Sequence, residues 1–494
     1  VRVSKRELRE KLDRYLWKQL PDSVFEITWV KPSSLLTWNR LDIGMRILYL
    51  ELEKRLPALA DQIYYQDLRA QSLGALTDPD NAAKDSFVVF KDVFSKVSED
   101  VLARGFDAGT SIIPLSRSGS LLNGGHRVSS AVFHGKDVAI IQTDLPQIVC
   151  DYEYFWDRGV SKEAIEHAVT KFVSLADNTF VAFLWPSGIN NYSDVDKLFD
   201  RVVYKKQLKL SEKGKLNLLS ECYRHMDWVG TEKSGFLGLK EKFVECFPNS
   251  SPATMVVFQS PGGLEEVREL KQKIRSINGI GFSSIHVTDN AEETLRLVQL
   301  LCNENGAHFL NHAPLAAEKN LERIQEIRDA AISCSMSLDD FVVDGSWVLE
   351  LYGLRRANDV DILSISTSTE AEACFGYESR ERETVFHGKT ATEIVLDPSN
   401  FFWWRGVKFV SFQQLRAMKI SRSEPKDLVD IKLMRFASKN SRYRRLRLRL
   451  WQEAIFLNVR LRKKTVLVLI RVFKRFKLYS FARTAYRRFR KPRY

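Results

Sequence analysis

Phe341-Val342-Val343-Asp344-Gly345-Ser346 and Asp359-Val360-Asp361-Ile362-Leu363 decide the reading of this 494-residue chain. A short apolar strand ends at Gly-Ser, and a helix-like run from Trp347 to Gly353 follows. A second strand then carries two aspartates two positions apart. Strand residues i and i+2 point to one face, so Asp359 and Asp361 can share a cation. Gly345 and Ser346 stand at the expected helix start, where unpaired backbone N–H groups attract phosphate. A metal site beside a phosphate cradle is the chemistry of nucleotidyl or phosphoryl transfer.

Gly-Ser followed by Asp-x-Asp between apolar residues resembles the nucleotidyltransferase superfamily typified by DNA polymerase beta, over about residues 320–436. The resemblance implies that Gly345 and Ser346 contact phosphate and that Asp359 and Asp361 are catalytic ligands of Mg²⁺ or Mn²⁺. It also implies a third carboxylate from a later strand. Asp397, in Glu393-Ile394-Val395-Leu396-Asp397, is expected on that strand, with Glu393 as the alternative. Arg422 to Ile431 resembles the closing helix that packs back on the site in such domains. It makes Lys426, with Lys419 and Arg422, a candidate for phosphate. Trp403 and Trp404 read either as a stacking platform for a base or sugar or as core aromatics.

Leu121-Leu122-Asn123-Gly124-Gly125-His126-Arg127 is a glycine turn feeding a helix of small residues. Glycines permit close backbone approach, and His and Arg add charge-assisted donors. The stretch at about 80–145 resembles the ParB/sulfiredoxin fold, some members of which are small-molecule kinases. That implies phosphate binding by Gly124, Gly125, His126 and Arg127, and a second, kinase-like site. The reactive cysteine of sulfiredoxins and the acidic-arginine pair of ParB proteins are both absent from this turn. Arg40 and Asp42, on the preceding helix, are candidate partners of the turn.

The formal charge of +13 is unevenly placed. From Lys439 onward lie 20 of the 75 Lys/Arg and one of the 62 acids, a net +19, so the rest carries −6. The basicity belongs to a tail, not to a nucleic-acid-binding body. In the tail, arginine alternates with Leu, Val, Ile and Phe, a composition suited to an in-plane helix on an anionic membrane. A nucleic-acid arm rarely carries so many aliphatics. Packing on the body is the third option. No apolar run approaches the roughly 18 residues that span a bilayer. The charged, helix-like opening VRVSKRELREKLDRYL does not read as a secretory signal. Six scattered cysteines without a CxxC pair fit a reducing compartment.

Between the two motifs, alternating strand and helix patterns predict an α/β or α+β domain. Helices are expected at 162–175, 212–225, 263–276 and 290–303, and strands at 180–185, 200–205, 254–259 and 283–288. His286 and Asp289 are read either as a polar pair at the mouth of this sheet or as part of a helix cap. In the second reading Thr288 or Asp289 is the N-cap and Glu292 completes a capping box. Lys205 or Lys206 is a candidate phosphate ligand.

The expected architecture is therefore α/β and α+β multidomain. A ParB/sulfiredoxin-like domain covers 1–150, an α/β domain 151–315, a nucleotidyltransferase-like domain 316–438 and a basic amphipathic helical tail 439–494. The expected function is a metal-dependent nucleotidyl- or phosphotransferase of surface polysaccharide or glycolipid assembly, cytoplasmic and peripheral to the membrane. A nucleotide or other activated phosphate would be the donor, and a glycan or lipid-linked molecule the acceptor. The alternatives are an RNA- or protein-modifying nucleotidyltransferase and a non-catalytic nucleotide-sensing scaffold.

Overall fold

A computed structural model of the chain describes residues 1–78, 83–357, 359–366 and 384–438, with isolated positions beyond. The basic tail therefore lies outside the described residues, apart from those positions. The described chain is mixed α/β, built on three four-stranded sheets.

The first sheet has the order β1-β2-β4-β3, with β1 at Arg2–Ser4, β2 at Val24–Val30, β3 at Ile113–Leu115 and β4 at Val138–Gln142. Only β3 and β4 pair in parallel; the other ladders are antiparallel. Helices Asp42–Leu52, Pro57–Gln71, Phe87–Arg104 and Gly125–His134 accompany it. The opening is less helical than its charge pattern suggests, because Arg2–Ser4 pairs with β2 and helix begins only at Arg14.

The middle sheet runs β6-β7-β5-β8, from Val202–Leu208, Ala253–Gln259, Thr179–Leu184 and Ile285–Val287, with every ladder antiparallel. β5 is buried along its whole length, which explains its unbroken apolar run. Helix Lys162–Leu175 joins this unit to the first. It meets helix Asp42–Leu52 so closely that a Cβ on Gly44 would press into the Ala168 carbonyl.

The third sheet has the order β10-β9-β12-β11. β9 (Phe341–Asp344) pairs antiparallel with β10 (Asp361–Ser364) and parallel with β12 (Val407–Val410). β12 forms a hairpin with β11 (Phe401–Trp404). The strand expected at 393–397 is instead helix Ala391–Leu396. Thr390 accepts the Glu393 N–H while the Glu393 carboxylate accepts the Thr390 N–H, and this capping box outweighs the β-branched Ile-Val pair. Asp397 therefore ends a helix. One continuous apolar core runs through all three units, from Leu41 and Tyr49 through Phe183 and Met255 to Trp347 and Phe409. No helix among the described residues is long and apolar enough to cross a membrane.

Candidate functional site

Gly345 has φ +69°, a conformation that side chains resist, and it turns the chain from β9 into helix Ser346–Leu351. A Cβ there would collide with the Asp361 carboxylate. The Ser346 hydroxyl donates to Asp359 Oδ1 at 3.4 Å. Gly345, Ser346, Asp359 and Asp361 thus share one small region at the C-terminal end of β9. Two expectations change. β10 starts at Asp361, so Asp359 lies in an exposed bend just before it rather than on the strand. The helix after Gly345 has only six residues, so its dipole is too short to be a phosphate cradle.

Asp344, which the motif reading passed over, is the cross-strand partner of Asp361. Its side chain is buried; His387 Nε2 lies 2.9 Å from Oδ2, and Oδ1 has no hydrogen-bond partner among the described residues. Gln414 Nε2 donates to the His387 carbonyl at 2.9 Å and lies 3.2 Å from Nδ1. With Nδ1 accepting, the imidazole proton sits on Nε2, facing Asp344. Burial pushes the Asp344 pKa up, but His387 and Lys419 outweigh it and hold the group below its usual range.

Arg355 grips Asp430 through Nε at 2.6 Å and Nη2 at 3.0 Å; Asp430 above all, and to a lesser degree Asp359, favours its charge. Lys419 bridges Asp427 (3.2 Å) and Asp430 (2.9 Å), and Arg422 holds Asp427 at 2.8 Å. These contacts fasten helices Phe412–Arg422 and Pro425–Ser438 beside the carboxylates. Lys426 instead points to solvent and pairs with Glu424, whereas Arg355, Lys419 and Arg422 are fixed by Asp427 and Asp430.

Asp397 stands elsewhere. It accepts the Ser399 N–H and lines a cavity beside β11. Among the described residues no group of three or more His, Cys, Asp or Glu is placed to hold a metal. A donor set of two carboxylates still fits Mg²⁺, which commonly takes one or two carboxylates and completes its shell with water and substrate phosphate. Trp404 is buried and donates to Glu221, a core role, whereas Trp403 lines the cavity.

At the glycine turn, Gly124 has φ +92° and opens helix Gly125–His134. A Cβ on Gly125 would overlap the Arg46 guanidinium and meet Arg40 Nη2 at 3.5 Å, and one on Gly124 would meet Arg127 Nη2 at 3.3 Å. Arg40 and Asp42 do reach the turn. Arg40 grips Asp42 through two nitrogens and donates to the Leu121 carbonyl. Arg46, missed in the sequence, binds Asp42 at 3.1 Å and Asp67 at 3.0 Å. Burial raises the Asp67 pKa to about 6 against the pull of Arg46. Burial, then Arg46, Lys84 and Arg127, keep His126 neutral, and its Nε2 lies 2.7 Å from the Tyr64 hydroxyl. Arg127 has no hydrogen bond or ion pair among the described residues, and burial lowers its pKa.

In the middle unit, His286 pairs with Glu293 at 3.2 Å and Asp289 with Lys271 at 2.7 Å, so the two do not form a pair. The N-cap is Asn290 rather than Thr288 or Asp289, and Glu293 rather than Glu292 reaches back to the Asp289 N–H. Lys205 and Lys206 are tied to Asp196 and Glu166.

Comparison of the chain with protein-family models, curated proteins and solved structures finds no match.

Proposed function

We propose that the chain is a metal-dependent nucleotidyl- or phosphotransferase whose reaction centre lies at Gly345, Ser346, Asp359 and Asp361. The observation that carries this reading is the convergence of the Ser346 hydroxyl and both aspartates on one glycine turn, where the absent Gly345 side chain lets the Asp361 carboxylate pack against the backbone. Asp359 and Asp361 would hold Mg²⁺ or Mn²⁺, with Asp344 behind them. When bound, the metal supplies charge neutralisation at the transferred phosphate. Ser346 orients phosphate through its hydroxyl. Arg355 and Lys419, through their ion pairs with Asp427 and Asp430, fix the closing helices beside this centre.

The acceptor is assigned as a glycan or lipid-linked hydroxyl at a membrane surface. Its support is the composition of the tail: arginine interleaved with aliphatic residues on a body of opposite net charge. The test is a screen of NTPs and nucleotide sugars with Mg²⁺ or Mn²⁺, read as a mass shift on glycan and lipid acceptors. Metal-dependent adduct formation is expected. Transfer to RNA, or metal-dependent nucleotide binding without any turnover, would favour the polynucleotide or the sensing alternative.

A kinase-like second site at Gly124–Arg127 is favoured by one further observation. Three guanidiniums gather at a helix N-terminus, and Arg127 is left without a carboxylate. Such a cluster suits a phosphate.

A further inference from the structure

The three units line a cleft, open to solvent on one side, with a volume of about 510 Å³ that the transfer reading does not use. Helices Asp42–Leu52 and Pro57–Gln71 of the first unit form one wall, helix Lys162–Leu175 another. The hairpin β11–β12 closes it. It lies at the opposite edge of the third sheet from the carboxylates. Asp361 is on β10, whereas Trp403 and Lys408 are on β11 and β12. Along β9, the carboxylates sit past its C-terminal end, and Asp339 of the cavity wall precedes its start.

The chemistry of the wall is specific. Its cations are already neutralised: Lys171 pairs with Glu51 at 2.6 Å, Arg55 with Asp340, and Lys408 with Asp339 at 3.6 Å. Lys408 Nζ also donates to the Asp339 and Val395 carbonyls, at 2.7 and 2.9 Å. Among the described residues no unpaired cation lines the wall, which adds the carboxylates of Glu163 and Asp397. Phosphates and nucleotides are therefore disfavoured.

Apart from those two carboxylates, what remains open is polar and uncharged. Gln62 and Gln413 stand exposed at the rim, and deeper in the wall the side chain of Gln299 and the ring of His167 have no hydrogen-bond partner among the described residues. Burial, then Lys171 and Lys408, lower the His167 pKa to about 3, so its ring offers one donor and one acceptor at neutral pH. Trp403 and Phe401 add an aromatic margin, their rings largely buried with Lys408 Nζ 5.1 and 4.7 Å from the two centroids, and the Trp403 indole N–H has no hydrogen-bond partner among the described residues. Amides and imidazole both give and accept hydrogen bonds, as hydroxyl groups do, and aromatic faces suit the C–H side of a sugar ring. The volume lies in the range of small-molecule sites, and such sites favour domain junctions.

We propose that this cavity binds an uncharged, hydroxyl-rich molecule, a monosaccharide or disaccharide. Gln62, Gln299 and His167 provide the hydrogen bonds, and Trp403 provides the packing surface. Because three units contribute to the wall, the bound sugar ties them together. The inference is independent of the transfer reading, since the carboxylates take no part in it.

The experiment titrates the full chain with glucose, galactose, N-acetylglucosamine and sucrose, following tryptophan fluorescence and the thermal midpoint. Glucose 1-phosphate and spermidine serve as charged comparators. At least one neutral sugar is expected to saturate below about 10 mM. Its affinity should fall about tenfold in Gln299→Leu or Gln62→Leu, each of which removes an amide from the wall while circular dichroism stays native. Asp359→Asn/Asp361→Asn should bind the sugar as the wild type does, which separates this site from the transfer centre. Failure of all four sugars to saturate overturns the proposal. So do unchanged affinity in both glutamine variants and tighter binding of either charged comparator.

Discussion

Asp344 and Asp361 face each other across the antiparallel β9–β10 ladder, so their side chains leave the same face of the sheet. One is buried and braced by His387, and the other is half-exposed beside Gly345. A fixed inner carboxylate behind an accessible one lets the outer residue meet solvent and ligand while the inner one sets the local potential. Replacing Asp344 with Asn keeps the shape and removes the charge that His387 and Lys419 favour. We expect a loss of about 1–3 kcal/mol in denaturant unfolding and weaker metal-dependent nucleotide binding by titration calorimetry.

Gly345→Ala tests the same site from the backbone. Alanine must adopt a positive φ and place its methyl group against the Asp361 carboxylate. A destabilisation of about 1 kcal/mol or more is expected from the unfolding midpoint. Nucleotide binding should suffer more than that loss accounts for, because Asp361 is displaced.

The closing helices make stability depend on acid. Burial raises the Asp427 pKa, but Arg422 and Lys419 outweigh it and bring the group to about 2. Its folded pKa is thus below the ordinary 3.8, so the unfolded chain binds the proton more readily. Its stabilising contribution is full above pH 4 and fades as pH falls through about 2. In Asp427→Asn this part of the acid dependence should disappear from urea midpoints measured between pH 5 and pH 2, and stability at neutral pH should drop.

At the glycine turn, Arg46 and Arg127 should separate structure from binding. Arg46→Met leaves Asp42 and Asp67 buried with one cation fewer, a change that destabilises by about 3–5 kcal/mol. Arg127→Met breaks no ion pair, so the thermal midpoint should hold while binding of inorganic phosphate at this site weakens. Equal thermal losses in the two variants would assign Arg127 a purely structural role.

Much of this architecture is legible in the sequence, and the misses have physical causes. The α/β pattern of the middle unit is carried by long periodic runs; helix Lys162–Leu175 and the buried strand Thr179–Leu184 follow directly from them. β2 was hidden because a short strand with Val24 and Trp29 exposed lacks the apolar density of a buried one. The expected strand at Glu393–Asp397 yielded to a capping box, although Thr390 and Glu393 at the right spacing were visible. Gly345, Ser346, Asp359 and Asp361 are close in sequence, and the structure brings all four together. The braces came from afar: His387 lies 43 residues from Asp344, and Arg355 lies 75 residues from Asp430. Pairings of that kind carry no local signal. Asp344 itself had one, an acid at the end of an apolar strand, next to the glycine.

The most direct test of the transfer reading is calorimetric titration of the full chain with ATP, CTP, GTP and UTP, with Mg²⁺ and with EDTA. The comparison protein is Asp359→Asn/Asp361→Asn. Binding of at least one nucleotide is expected only when Mg²⁺ is present. That binding should vanish in the double variant, whose thermal midpoint stays near that of the wild type. Metal-independent binding, or nucleotide binding and turnover retained in the double variant, would contradict the transfer reading.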